Sequence, residues 1–353
     1  MEINLQPPAA AEIEVSLFGP GTGECVVAHL GNNEWMIVDS CTAHNKIPVA
    51  LEYLAELGVG NDRVKLIVVT HFHDDHVGGL KVLIDACLEA EIYISGALTY
   101  EESISFTLAH ALEDVLVDRA KPSTYELANV LKSVGDRHLR CVTENQVLYR
   151  RGDVLVHSLS PSSRAVTQSR AKFGQELLQA QTGYRKLANK LNPNLCAVAL
   201  HICNGTDTVL LGSDLEVSAD PALGWEAVLL NKNKPTTLAS LFKIPHHGSE
   251  NGYSARVVSD MLKVKPISIL TTFNRSALPL ETDIARIMGF SESLYYTSHP
   301  KSRTPVRSRS VEEGIHAVVK ARRVVTKQMG HIQVRMQNGV CKVAINSFAS
   351  VAA

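Results

Sequence analysis

Residues 70 to 79 read Thr70-His-Phe-His-Asp-Asp-His-Val-Gly-Gly79, and inside them lies His-x-His-x-Asp-His: His71, His73, Asp75 and His76. Three imidazoles and a carboxylate within six residues cannot share one helix face or one strand face. They converge only on a tight loop, and a loop so rich in nitrogen and oxygen donors suits zinc, manganese or iron. The run Val64-Lys-Leu-Ile-Val-Val-Thr70 ahead of it reads as a buried strand. Gly78-Gly79 and Leu80-Lys-Val-Leu-Ile-Asp-Ala-Cys87 behind it read as the entry to a helix. A strand whose C-terminal end empties into a ligand-rich loop is where α/β proteins place their active sites. Solvated loop histidines would show no such spacing.

The 353-residue chain is 45% hydrophobic, enough for one large domain or two small ones. Its net charge of −1 gives no global field toward nucleic acid or membrane. Seven cysteines, at 25, 41, 87, 141, 196, 203 and 341, form no C-x-x-C pair. That pattern predicts free thiols in a reducing compartment, with Cys41 a small buried side chain rather than a ligand. The first residues lack a basic stretch followed by an apolar core, and no apolar run approaches the ~20 residues that span a bilayer. The expectation is a cytoplasmic protein without a membrane partner.

Outward from the loop, Ile13–Phe18 alternates as a half-buried strand, Gly19–Gly23 is a turn, and Cys25–Leu30 pairs with Trp35–Asp39 across Gly31-Asn-Asn33. A helix is predicted near 46–58. Further strands are predicted at 91–95, 140–143, 154–159, 195–202, 208–211, 242–244, 268–271 and 294–297, with a last hairpin at 331–335 and 341–345. Three inserts interrupt the pattern, at about 97–136, 163–190 and 299–329. The second carries Arg164, Arg170, Lys172, Arg185, Lys186 and Lys190 against Glu176. The third carries Lys301, Arg303, Arg307, Arg309, Lys320, Arg322, Arg323 and Lys327 against Glu312 and Glu313. Strands joined in part by helices and in part by hairpins predict an α/β fold: two mixed sheets packed face to face, helices outside, in a single domain over 1–353.

Two later motifs can add ligands to the loop. Val209-Leu-Leu-Gly-Ser-Asp214 is an apolar strand ending in a small turn and a carboxylate. Phe242-Lys-Ile-Pro-His-His-Gly-Ser249 is a short strand followed by His246 and His247. Taken singly, the first reads as a capped turn and the second leaves ligand and structural roles even. In order, downstream of the first loop, they support each other.

With Asp39 at the end of Met36-Ile-Val-Asp39, these motifs resemble the metallo-β-lactamase superfamily, and within it the hydrolase domain of ComEC-type competence DNA-uptake proteins. Weaker echoes are Asn192-Pro-Asn-Leu, Thr272-Phe-Asn-Arg275 and Gly330-His-Ile-Gln-Val334. The likeness runs in order over about 12–345. It implies a four-layer αβ/βα sandwich with a binuclear site at one edge. Carried over by position, His71 and His73 bind one divalent ion, Asp75 and His76 bind the other, Asp214 bridges both, and His247 completes the second. Zinc is the first expectation and manganese the alternative. His246 is then a proton donor or a supporting group, and Asp39 braces the loop.

Some positions depart from the pattern. Many superfamily members give the first ion a third histidine from a Gly-His loop, where this chain reads Ser158-Leu-Ser-Pro-Ser162. His110, His157 and His201 read as structural. Gly21-Thr-Gly-Glu24 stands where the group has Gly-Gln-Gly-Asp, and Leu278 stands where it has a histidine. Ser249 and Asn274 read first as stabilisers of a turn and a strand end, with a hydrogen bond to substrate as the alternative.

Two ions ~3.5–4 Å apart lower the pKa of a bridging water and neutralise charge growing on a phosphoryl or carbonyl oxygen. Asp75 and Asp214 would orient that water, and His246 would protonate the leaving group. The two basic inserts hold fourteen Lys or Arg against three acids. Folded over the site they would favour phosphate esters, nucleic acid among them; the alternative is a docking surface for another protein. With 5% aromatics, base stacking is not signalled. The Asp214–His247 spacing is too short for the cap domain of β-CASP nucleases. The expected function is therefore a binuclear phosphodiesterase or nuclease. Its rivals are a small ester, lactone or phosphocholine-type hydrolase, a di-iron redox protein (for which a flavodoxin-like partner domain is missing), and a regulatory subunit keeping a structural metal.

Overall fold

The computed structural model describes residues 2–43, 45–97, 129–130, 132–134, 137, 139–171, 192–299, 308–318 and 328–352. His110 and most of the three inserts lie outside the described residues, including all but Arg164, Arg170 and Arg309 of the fourteen insert cations. Within the inserts the structure describes helix at 129–130 and 132–134, at 163–171 and at Arg309–Val318.

The chain begins with three antiparallel strands, β1 (Ile13–Gly19), β2 (Cys25–His29) and β3 (Trp35–Val38). It then passes through α1 (Val49–Glu56) to β4 (Val64–Val69), α2 (Leu80–Ala86), β5 (Glu91–Ser95) and β6 (Leu139–Val142). The second half repeats the plan. β7 (Val147–Arg151), β8 (Val154–Ser158), β9 (Leu200–Cys203) and β10 (Thr208–Leu211) are antiparallel. They lead through α3 (Gly224–Leu230), β11 (Ala239–Lys243), α4 (Ala255–Met261), β12 (Leu262–Leu270), α5 (Glu281–Phe290) and β13 (Ser293–Tyr296). After α6 (Arg309–Val318), the hairpin β14 (Gly330–Gln337) and β15 (Val340–Ile345) returns to the first sheet, and β16 (Ser350–Val351) closes the second. The orders are β15-β14-β1-β2-β3-β4-β5-β6 and β16-β13-β12-β11-β10-β9-β8-β7. Pairing turns parallel from β3 to β6 and from β10 to β13. Both sheets are therefore mixed.

Alternation along each strand makes the layers, because successive side chains leave opposite faces. Val15, Leu17, Met36, Leu66 and Val68 of the first sheet meet Val209, Leu211, Leu241 and Ile269 of the second in one central core. Their neighbours point outward. Trp35, Ile37, Ile67 and Val69 pack on α1 and α2, and Leu210, Phe242 and Leu270 pack on α3, α4 and α5. The result is the expected αβ/βα sandwich.

Local departures from the sequence expectation are small. The strand expected at 195–202 begins at Leu200, because Asn192 caps a short 3-10 turn over Pro193–Cys196 by accepting a hydrogen bond from the Asn194 amide. β12 starts at Leu262, ahead of the expected 268, although Lys263, Val264 and Lys265 give no apolar signal; these three residues are exposed, and the pairing with β11 is irregular there.

Candidate metal centre

All the site segments leave the C-terminal ends of parallel strands or of the strand beside them. Asp39 follows β3, Thr70 to His76 follow β4, Asp214 follows β10, His246 and His247 follow β11, and Thr271 follows β12. The turns are tight. Asp39, Ser213, His246 and His247 take left-handed backbone at φ 58°, 47°, 47° and 53°. Such a conformation costs an L-residue roughly 1–2 kcal/mol and is sustained by surrounding bonds.

Four ligand-type atoms converge. His76 Nε2 lies 3.6 Å from Asp75 Oδ2 and 3.5 Å from Asp214 Oδ2, and His247 Nε2 lies 3.4 Å and 3.5 Å from the same two oxygens. A tetrahedral ion with bonds of about 2.0–2.1 Å needs donor atoms about 3.3–3.4 Å apart, so the spacing fits one. Beside this group His71 Nε2 stands 3.0 Å from His73 Nδ1 and 4.0 Å from Asp214 Oδ2. Asp214 thus faces both the His71–His73 pair and the four-atom group. His246 lies outside the four-atom group, its ring centroid 6.1 Å from that of His247.

The tautomers are set by neighbours. His76 Nδ1 donates to Asp39 Oδ2 at 2.7 Å, and His247 Nδ1 donates to the Thr271 carbonyl at 3.1 Å. Thr70 Oγ1 donates to Asp39 Oδ2 at 2.7 Å and accepts from His71 Nδ1 at 3.0 Å. Each of these three rings therefore turns an Nε2 lone pair inward. His76 Nε2 and Asp214 Oδ1 are buried without a hydrogen-bond partner. Left so, they are costly; a cation satisfies them.

The electrostatics agree. Burial, and next the charge of His76, hold the His71 and His73 rings below the ordinary imidazole range, which suits neutral ligands. Burial opposes a charged His76, but Asp75, Asp214 and Asp39 outweigh it and raise its pKa well above the usual value. Burial likewise opposes ionised Asp75 and Asp214, and the rings of His76 and His247 outweigh it, holding both carboxyls low. The centre is thus a cluster of carboxylates and imidazoles that favours positive charge.

Among the described residues, two groups of three or more carboxylates, imidazoles or thiols come within metal-binding span: Asp75, His76, Asp214 and His247, and also Glu24, Asp39 and His76. Together they are compatible with a binuclear metal site. The oxygens of the second group are already engaged. Asp39 Oδ1 accepts from the Thr70 amide and Oδ2 from His76 and Thr70, while Glu24 meets Lys243 and Thr271. That group therefore braces the site. Among the described residues neither group includes His71 or His73, which stand beside the first. At the segment without a Gly-His, Ser160 Oγ donates to the Ala197 carbonyl and accepts from the Ala199 amide, so it serves the sheet.

Several functional neighbours carried no role in the sequence reading. Glu216, nearly buried, accepts from Asn192 Nδ2 and Asn194 Nδ2 and lies 3.1 Å from His246 Nδ1. Burial lowers the His246 pKa, but the Glu216 hydrogen bond and the charge of Asp214 outweigh it and raise it. Lys243 is buried in the strand ahead of the two histidines. A lysine in an apolar run just before His-His is a legible signal, whereas Glu216, two residues past Asp214, gives none. Ser249 Oγ bonds His246 Nδ1 and Asn251, a turn role. Asn274 is buried with both amide atoms unpartnered. His157 and His201 face each other across β8 and β9, away from the centre. Cys41 is buried and free.

Residues 18–103 match the model of the metallo-β-lactamase superfamily. That stretch holds the histidine loop, and the two mixed sheets flanked by helices complete the architecture. This αβ/βα sandwich matches the metallo-β-lactamase fold. Solved structures similar to the chain include AidC, a dizinc quorum-quenching lactonase (16% identity, 54% of this chain and 55% of that one, TM-score 0.33). Others are the metallo-β-lactamase SMB-1 (15%, 62% and 70%, TM-score 0.31) and the metallo-β-lactamase fold protein YhfI from Bacillus subtilis (12%, 80% and 95%, TM-score 0.41). The chain thus spans just over half of the lactonase's length. No curated protein matches the sequence. Among the described residues no helix is long and apolar enough to cross a membrane.

Proposed function

We propose that this metallo-β-lactamase-fold protein is a binuclear metal-dependent hydrolase of phosphodiesters. The observation that carries the metal half is the set of 3.4–3.6 Å separations among Asp75, His76, Asp214 and His247, with His71 and His73 beside it. In this reading His71, His73 and Asp214 hold one divalent ion, Asp75, His76, Asp214 and His247 hold the other, and both ions are zinc. Ions bound there supply Lewis acidity and an activated water.

The protein's own groups do the rest. Asp75, at the partly open side of the cluster, orients the nucleophile. Asn251 Oδ1 accepts from His246 Nδ1 beside the Glu216 carboxylate; Nε2, which accepts from Asn194 Nδ2 at 3.2 Å, is the nitrogen that, once protonated, would pass a proton to the leaving group. The Glu216 carboxylate and the charge of Asp214 favour the protonated ring. The phosphate preference rests on the charge of the inserts, fourteen cations against three acids. A cytoplasmic setting accords with seven scattered cysteines that form no C-x-x-C pair.

The test is metal quantitation of the purified protein together with hydrolysis of bis-p-nitrophenyl phosphate, labelled DNA and a lactone panel, with His71→Ala as control. Two ions per chain and phosphodiester cleavage lost in the variant are expected. Activity confined to the lactones would assign a small-ester hydrolase instead. A folded, metal-loaded protein whose cellular role survives His71→Ala with Asp75→Ala would make the ions structural.

A further inference from the structure

Lys243 ends β11 with its side chain 1% exposed. Its Nζ lies 2.5 Å from Glu24 Oε1, donates to the Ser213 carbonyl at 2.9 Å, and stands 3.9 Å from Asp214 Oδ1. Glu24 Oε2 accepts from Thr271 Oγ1 at 2.5 Å, and that hydroxyl is 3.0 Å from His247 Nδ1. A buried polar chain therefore runs from Asp214 through Lys243, Glu24 and Thr271 to His247. Glu24 stands just ahead of β2 of the first sheet, whereas Lys243 ends β11 and Thr271 follows β12 of the second.

A buried ion pair is a weak device for stability, since apolar residues of similar volume often serve as well. Position is what this pair adds. Asp214 and His247 sit on the two left-handed turns described above, at Ser213 and at His246-His247. The Ser213 carbonyl accepts from the His246 amide at 3.0 Å as well as from Lys243. One oxygen thus pins the two strained turns together, and Lys243, fixed by Glu24, holds that oxygen. We infer that Lys243 and Glu24 are positioning residues that aim Asp214 and His247 at a common ion. The inference rests on the binuclear reading above.

The test compares zinc affinity by chelator competition, melting of the chelated protein, and the d–d spectrum of the cobalt-loaded protein. The variants are Lys243→Met, Lys243→Met with Glu24→Gln, and Thr271→Val. Lys243→Met alone strands a buried carboxylate and is expected to melt lower. The double variant removes both charges; it is expected to regain the wild-type melting of the chelated protein, bind zinc about 10–100-fold more weakly and show an altered cobalt spectrum. Wild-type zinc affinity and cobalt spectrum in the double variant would overturn the inference. Loss of melting temperature with an unchanged cobalt spectrum would assign the pair to folding alone and overturn it equally. Should the double variant fail to fold, Thr271→Val decides: a zinc affinity lower by about tenfold supports the inference, and an unchanged one overturns it. A wild-type chain that holds fewer than two ions sinks the binuclear reading itself and this inference with it.

Discussion

A carboxylate standing behind an imidazole is the recurring residue-scale device. Asp39 stands behind His76 and, through Thr70, behind His71; Glu216 stands behind His246. Asp39→Asn keeps an oxygen for the His76 Nδ1 proton but removes the charge. Metal affinity lower by about 10–100-fold is expected, read by chelator competition. Glu216→Gln is expected to lower kcat on a phosphodiester by about tenfold or more, with KM and metal content little changed; unchanged kcat would remove His246 from proton transfer. Away from the site, burial pushes the His331 imidazole down to about 3. A base whose folded pKa lies below its unfolded value binds fewer protons when folded. Its contribution is therefore fully present above about pH 6.5 and is lost as pH falls toward 3. His331→Gln should accordingly lose about 2 kcal/mol less than wild type between pH 7.5 and 5.0 in urea unfolding. Glu14, joined to His331 through Ser16 and raised by burial, works in the opposite sense in both proteins.

Among the elements, the parallel halves of the two sheets matter most, because their C-terminal ends meet at one edge. What brings the sheets that close is visible at Gly330, where β14 of the first sheet starts. A Cβ there would lie 1.5 Å from the carbonyl oxygen of Thr297, just past β13 of the second. Gly330→Ala must part the sheets, and a loss of about 3 kcal/mol or more is expected in urea unfolding. At Gly248, φ is +82° and an added Cβ would lie 3.2 Å from Ile287, Leu270 and Pro279, so the His246-His247 turn sits close against α5 and the end of β12. These requirements explain why some elements were legible and others were not. Val64–Val69 and Thr208–Leu211 are apolar runs bounded by turns and show in the sequence as they stand in the fold. The start of β12, with exposed Lys263, Val264 and Lys265, is held by pairing with β11 and has no periodic signal of its own.

For the whole molecule, one central core holds two sheets whose edge carries unneutralised carboxylates. Ions that bind only the folded chain stabilise it, by ~2.7 kcal/mol per site at a hundredfold excess over Kd. Chelation should lower the melting temperature by several degrees and added zinc should restore it; an unmoved melting curve would count against metal binding. The sequence alone determined the chemistry of the histidine loop, since six residues can carry three imidazoles and a carboxylate to one point only as a metal-binding turn. It also determined the two-sheet architecture, because period-two burial and the alternation of hairpins with helical crossovers leave few arrangements. The tertiary structure decided which groups stand behind the ligands. Glu24 meets Lys243 and Thr271, more than two hundred residues away, and Glu216 meets His246 across a turn. No local spacing encodes such contacts; they exist only because strand order and register bring those ends together and bury the charges among partners distant in sequence.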